Sequence, residues 1–388
     1  MMIFELRKIL ASLMIWAFAT LIILFNILMM STQLHLREEK QVLLDIISEV
    51  GSQINEASLY QLEQMVQTAH EEADPFVDSE TSSPFVRATL LENYLMRATE
   101  ATNFMQEIDM ELQGEGMVAH LGATGQLAET IRRQHQIMGN RVEELLENGS
   151  YRYFFFDGFR YASHSFLFNG VLRPAAMGAS LLTALLTAFI VAYEFDNRTQ
   201  ATLYATKIGR NLQGVKLGAA MLATSLFYVL IMGITLGVFF LIYDYSGLWQ
   251  VPINSIFVSE IHFQGIFFWD LTFGTYLAVV LAVLWLIQIL FVLLAFSLSG
   301  LTRNSFLMVV GFFIFWGLHF LISTLPPTSS NLLLAGNFSP LLMILNLRHM
   351  FNIANLFPHF EAITLGGWGI TLTGFCLLTI KRFKRINL

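Results

Sequence analysis

The sequence predicts an all-α polytopic membrane protein, with six transmembrane helices and a helical extracytoplasmic domain inserted between helices 1 and 2. Three observations carry that expectation. Only 13% of the 388 residues are charged while 55% are hydrophobic, about half the charged share of an ordinary soluble domain. Six uncharged stretches, 9–30, 175–193, 217–243, 271–298, 306–325 and 363–380, each match the roughly 17 to 25 residues, or slightly more when tilted, that a helix needs to cross the hydrocarbon. The remaining charges are sorted by sign. Segment 33–172 holds 22 acids and 9 bases, a net of −13, so the rest of this −7 chain is +6. That balance excludes electrostatic binding of nucleic acid. The single cysteine, Cys376, excludes an intrachain disulfide and a cysteine-rich metal site.

The first division, 1–32, is a short cytoplasmic lead-in followed by the first span. Arg7 and Lys8 precede the apolar run as in a secretory signal, but the run is longer than an h-region and no small-residue cleavage pattern follows Met30. A retained anchor is expected. With the N-terminus inside, Arg7, Lys8, Arg198, Lys207, Arg210, Lys216, Arg303 and the terminal run Lys381, Arg382, Lys384 and Arg385 all fall on the cytoplasmic side, as the excess of basic residues in cytoplasmic loops requires. An even number of spans places both termini there.

The second division, 33–172, reads as helical because apolar residues recur at three- and four-residue intervals: Leu43, Ile46, Ile47, Val50 and Ile54, then Leu59, Leu62, Met65 and Val66. Pro75, a Ser/Thr cluster and Pro84 separate this helix from a second over 86–112. The glycines at 114, 116, 122 and 125 precede a third over 126–146. Aromatic residues crowd 151–168, with Arg152, Arg160 and Arg173 interleaved. Their density suits an interfacial belt above the second span, or a lateral entrance for an amphipathic substrate.

The third division, 173–388, holds spans two to six, and its loop 194–216 is long and basic. Asn197 is an N-cap candidate with Gln200 three residues on. Ala201, Tyr204, Ala205 and Ile208 follow at helical spacing, and Gly209 suits the C′ position. A short capped amphipathic helix on the inner face is expected, resting on headgroups or docking a partner. Ala176, Ser180, Ala184 and Ala188 form a small-residue seam in the second span, and Gly233 and Gly237 a second seam in the third, each suited to close helix packing. Gln288 is the clearest polar group inside the hydrocarbon, a candidate for lining a pathway or bridging helices. Of the histidines, His262, His349 and His359 fall in outside loops and His319 in the fifth span. Asp244, Glu260, Asp270 and Glu361 fall at outer span ends, where carboxylates are readily hydrated.

Glu194, the Arg198-Thr199 pair, Gly209-Arg210 and Lys216 resemble the pattern of type-2 ABC exporter permeases, in which a Glu and a Gly-Thr pair follow span two, and Gly-Arg and Lys precede span three. Glu5, Arg7 and Lys8 likewise resemble that family's amphipathic lead-in. Six spans, an insertion after the first, and a proline-bearing stretch between the fifth and sixth (Pro326, Pro327, Pro340, Pro358) extend the likeness over nearly the whole chain. Arg198 departs from it, standing where the family usually has Gly. The resemblance implies that 194–216 contains a coupling helix contacting an ATPase subunit through Tyr204, Lys207 and Arg210. No G-x-x-x-x-G-K-[ST] loop occurs in the chain, so ATP and Mg would belong to a separate cytoplasmic ABC ATPase subunit, in two copies, with no cofactor in this chain.

The implied assembly also contains a second permease copy or homologue, embedded in lipid in a bacterial plasma membrane. The function it implies is ATP-driven export of a hydrophobic or amphipathic substrate such as a peptide, drug or lipid. The alternative is a non-transporting sensor or scaffold whose outer helical domain binds a ligand.

Overall fold

The computed structural model describes residues 1–34, 36–73, 83–154, 165–200, 209, 212–255, 266–302, 304–323 and 335–385. Among them there are helices, turns and isolated bridges but no sheet. α1 (Met2–Leu10) turns at Ala11 and Ser12 into α2 (Leu13–Ser31). Five helices of mixed polarity follow: α3 (Leu36–Val50), α4 (Glu56–Glu72), α5 (Ser83–Gln106), α6 (Met110–Leu121) and α7 (Gly125–Asn148). A π-helical stretch, Phe166–Leu172, runs into α8 (Arg173–Asp196). α9 (Leu212–Ile242), α10 (Phe273–Leu298), α11 (Ser305–Ser323), the short α12 (Pro340–Leu345) and α13 (Phe360–Arg385) complete the chain.

Among the described residues five helices are long and apolar enough to cross a membrane: α2, the π-stretch with α8, α9, α10 and α13. The expected stretch 306–325 coincides with α11, whose apolar part, Ser305–Leu321, is shorter than the others. The five are not equivalent. In α8, 72% of the apolar window is buried inside the protein, against 17% in α13. Small residues explain the central place of α8, because they let neighbours approach on several sides. Ala176, Ser180, Ala184 and Ala188 are all buried, and a Cβ added at Gly178 would lie 2.9 Å from side-chain atoms of Ile22 on α2. By contrast α2, α9 and α13 turn Leu24, Leu241 and Ile370 outward, a surface suited to lipid.

The helices between α2 and α8 are more numerous than the three the periodicity suggests. The first expected helix divides at Gly51, and α4 restarts with a capping box in which Asn55 Oδ1 accepts from Ser58 N at 2.9 Å. The second divides at Asp109, whose carboxylate accepts from Leu112 N at 2.9 Å and so caps α6. Gly114 and Gly116 therefore lie within a helix and do not break one. Gly122, left-handed at φ 58°, ends α6. α3, α4 and α5 pack on one another and join the main core, whereas α6 and α7 share a second core around Met110, Leu127, Ile131 and Leu145.

Both parts are tied to the connections of the apolar bundle. Tyr243 Oη donates to the carbonyl of Gln33 at 2.8 Å. Arg141 on α7 donates to Asp270 at 2.5 Å and to the Phe267 carbonyl at 3.0 Å. Burial works against the Arg141 charge, but Asp270 and Glu144 hold its pKa above the usual value.

Candidate functional site

The second uncharged stretch ends at a carboxylate. Glu194 lies in the last turn of α8, where exposed carbonyls disfavour a negative charge. Lys216 lies in the first turns of α9, where free N–H groups disfavour a positive one. Each charge is unsuited to its own helix end and suited to its partner. Lys216 is fully buried, donates Nζ to the Glu194 carboxylate, and reaches the Val191 carbonyl at 3.1 Å, so it serves the C-terminal end of α8. Because α8 extends to Asp196 and α9 starts at Leu212, both residues belong to helices, and the connection between them is shorter than the loop 194–216 drawn from the sequence.

A third segment closes the cluster. Lys8 on α1 donates to Glu194 Oε1 at 3.0 Å and to Glu5 Oε1 at 2.8 Å, and its ammonium sits 4.6 Å from the centre of the Tyr193 ring. Burial disfavours the Lys8 charge, yet the two carboxylates prevail and raise its pKa. α1 can place these groups because it is amphipathic: Glu5 and Ile9 are buried while Ile3 and Phe4 point outward. Two acids and two bases from three distant segments thus form a cluster with no net charge, in which Glu5, Glu194 and Lys216 are buried and Lys8 is half-buried. Removing one member of such a pair leaves an uncompensated buried charge.

The exit from α8 is a Schellman turn. Arg198 N donates to the Phe195 carbonyl at 3.1 Å and Thr199 N to the Glu194 carbonyl at 2.8 Å. Arg198 takes the left-handed C′ position at φ 57°, where glycine is favoured. Asn197 is therefore the C-cap of α8 and not the N-cap of a following helix. Its Nδ2 donates backward to the Tyr193 carbonyl at 2.8 Å, and residue 200 is already helical. Arg198 and Thr199 are exposed and Gly209 is buried. Ala201, Tyr204, Ala205, Lys207, Ile208 and Arg210 lie outside the described residues, as do His262, Glu260, Arg303, Pro326 and Pro327. Phe195 meets Phe383 with ring centres 6.3 Å apart, so the cluster, the exit turn and the C-terminal part of α13 share one end of the bundle.

Midway along α8 the polar chemistry is neutral. Gln288 on α10 is fully buried, with Nε2 donating to Ser180 Oγ at 3.1 Å and Oε1 accepting from Thr183 Oγ1 at 3.1 Å. It bridges two helices and lines no open channel in this conformation. The two small-residue seams part company: Ala176, Ser180, Ala184 and Ala188 pack inside the bundle, whereas Gly233 and Gly237 are exposed and a Cβ at either would meet nothing within 4 Å.

Several buried polar groups escaped sequence reasoning. Asn26 in α2 is fully buried and donates to the Ile22 carbonyl at 2.9 Å, while its Oδ1 finds no partner among the described residues. The hydroxyls of Thr187, Thr224 and Thr235 are also buried without a partner among the described residues. Single polar residues in apolar runs carry no sequence mark of which face they occupy. Glu361 is not the hydrated carboxylate expected at a span end. It is buried and accepts from Phe351 N at 2.7 Å and Asn355 Nδ2 at 3.0 Å.

Asp270 is taken up by Arg141, and His319 packs on the Trp316 and Trp368 rings. Burial and the neighbouring Arg348 charge push the His349 pKa down to about 4, so it is neutral at pH 7. Among the described residues no group of His, Cys, Asp and Glu is arranged to hold a metal.

Comparison with family models, with curated proteins and with solved structures finds no match to this chain.

Proposed function

We propose that the chain is the transmembrane permease subunit of an ATP-driven ABC exporter, with six spans and both termini in the cytoplasm. One observation carries the reading: Glu5, Lys8, Glu194 and Lys216, residues on which the family resemblance rests, come from three segments and join in one largely buried charge cluster beside the 197–211 connection. That connection is the docking element. Lys207 and Arg210 meet acidic groups of a separate ATPase subunit, Tyr204 fills an apolar cleft there, and ATP and Mg stay in that partner. Force applied at the connection reaches α8, α9 and α1 together, because the cluster ties all three.

The left-handed conformation of Arg198 adds support, since the residue the family usually has there is the one such a turn favours. A second permease copy meets the outward Gly233–Gly237 face of α9, with lipid covering the remaining apolar surface. The substrate is hydrophobic or amphipathic.

Retention of an ATPase subunit through purification in mild detergent tests this directly, and the Lys207→Glu/Arg210→Glu double variant is the sharper probe. ATPase activity is expected to persist while substrate no longer stimulates it or crosses vesicle membranes. Coupling unchanged in that variant removes these residues from the docking element. If no ATPase is retained and the outer helices change their partners with ligand, the protein is a sensor and the exporter reading fails.

A further inference from the structure

The region between α2 and α8 contains a cleft of about 510 Å³, open to solvent, between α3, α4 and α5. Its apolar lining includes Met65, half-buried, with Ala69 and Leu91, buried, and the exposed Gln61, Gln64 and Thr68 add polar groups beside them. Its volume lies within the range of small-ligand sites.

The rim decides which charge it accepts. Arg87 lines the cleft, but its guanidinium donates to Asp45 at 2.6 Å, so its charge is already met. Glu49 and Glu72 also line it, both exposed, and neither is ion-paired with a described residue. Each lies in the last turn of its helix, Glu49 on α3 and Glu72 on α4. The carbonyl ends of those helices add negative potential to the two carboxylates. His70, the basic residue in the last turn of α4, leans toward Glu92 at 3.8 Å. The surrounding segment 33–172 carries a net −13. Gln61, Gln64 and Thr68 can hydrogen-bond any polar ligand, but only basic groups meet the two carboxylates, so a ligand with basic groups flanking an apolar stretch satisfies the carboxylates and the apolar lining at once.

We propose that this cleft binds a short amphipathic basic peptide, and that such peptides are the substrate class of the transporter. The second half of that statement rests on the proposed function. The first half does not. α3, which supplies Glu49, also seats Lys40 3.9 Å from the centre of the Tyr245 ring in the connection after α9. A peptide in the cleft therefore presses on a helix that touches the apolar bundle.

The test uses the full-length protein in nanodiscs of zwitterionic phosphatidylcholine, without ATP or any ATPase subunit. The probe is a fluorescent Leu/Lys amphipathic peptide of about ten residues, with its Leu/Glu counterpart as control. Saturable binding of the basic peptide alone is expected. The Glu49→Gln/Glu72→Gln variant should weaken it about tenfold. The Glu143→Gln/Glu147→Gln variant, which removes the same charge from α7, should leave it unchanged, and Met65→Lys, which places a cation in the apolar lining, should abolish it.

Binding that is insensitive to the first variant, that falls equally in the second, or that the acidic peptide shares overturns the cleft assignment. Peptide binding in a protein that retains no ATPase leaves the cleft standing and sinks the exporter reading. A coupled ATPase beside a cleft blind to the basic peptide does the reverse.

Discussion

α8 carries two polar devices of opposite kind. At its end Glu194 meets Lys216 and Lys8 in an ionic cluster assembled from three segments. At its middle Ser180 and Thr183 meet Gln288 in a neutral bridge to one neighbour. The difference teaches what each can transmit. The buried Glu194–Lys216 pair at the centre of the ionic cluster tolerates no missing member, so it moves as a unit or breaks outright. A neutral bridge is cheap to lose, because interhelical hydrogen bonds in a membrane contribute only about 0.6 kcal/mol on average. The end of α8 is thus suited to passing force between segments, and its middle to setting how α10 packs against it.

The sharpest way to break this contrast is Glu194→Ala, which strands Lys216 in a buried site. A loss of about 3–5 kcal/mol is expected, read as a lower unfolding midpoint in detergent, and Glu194→Ala/Lys216→Met should recover most of it. A single variant as stable as the parent would show that the cluster locks nothing. Gln288→Leu should cost less, about 1–2 kcal/mol, since its bonds to Ser180 and Thr183 and a longer one from Nε2 to the Ala176 carbonyl at 3.4 Å are replaced by an apolar side chain of similar size. If its loss equals that of Glu194→Ala, the middle and the end of α8 are energetically alike. The smallest effect has the opposite sign: Arg198→Gly relieves a left-handed residue and should stabilise the protein by about 1 kcal/mol. Arg198→Ala, equally strained, should gain nothing.

The same helix shows how far the residues could be read in advance. Six apolar stretches place the helices of the bundle to within a few residues at most ends, because length and absence of charge are local properties. The N-terminal end of the second stretch is the exception. The helix starts near Phe166, with Arg173 inside it, since a π-stretch continues into the aromatic segment. Asn197 followed by Gln200 has the look of a capping box, yet Asn197 closes α8, because the side chain that opens one helix can equally hydrogen-bond backward into the one before it. Gly114 looked like a breaker and lies inside α6, where a Cβ would meet His135 at 3.0 Å. Close approach, not a turn, accounts for that glycine.

Composition and the period of the apolar residues determined, without any coordinates, that this chain is helical and that several of its helices are built for lipid. They also marked Glu194 and Lys216 as charges bordering apolar runs, because transfer into hydrocarbon is costly for every residue taken singly. Which apolar helix lies inside and which outside was decided only by packing. The Ala-Ser-Ala-Ala seam and the Gly-Gly seam are alike as strings, but one is enclosed and the other faces outward. The meeting of Glu5 and Lys8 with Glu194 and Lys216, across a separation of 186 positions between Lys8 and Glu194, is likewise tertiary. A charge in a sequence states a need for a partner, and only the folded chain selects it.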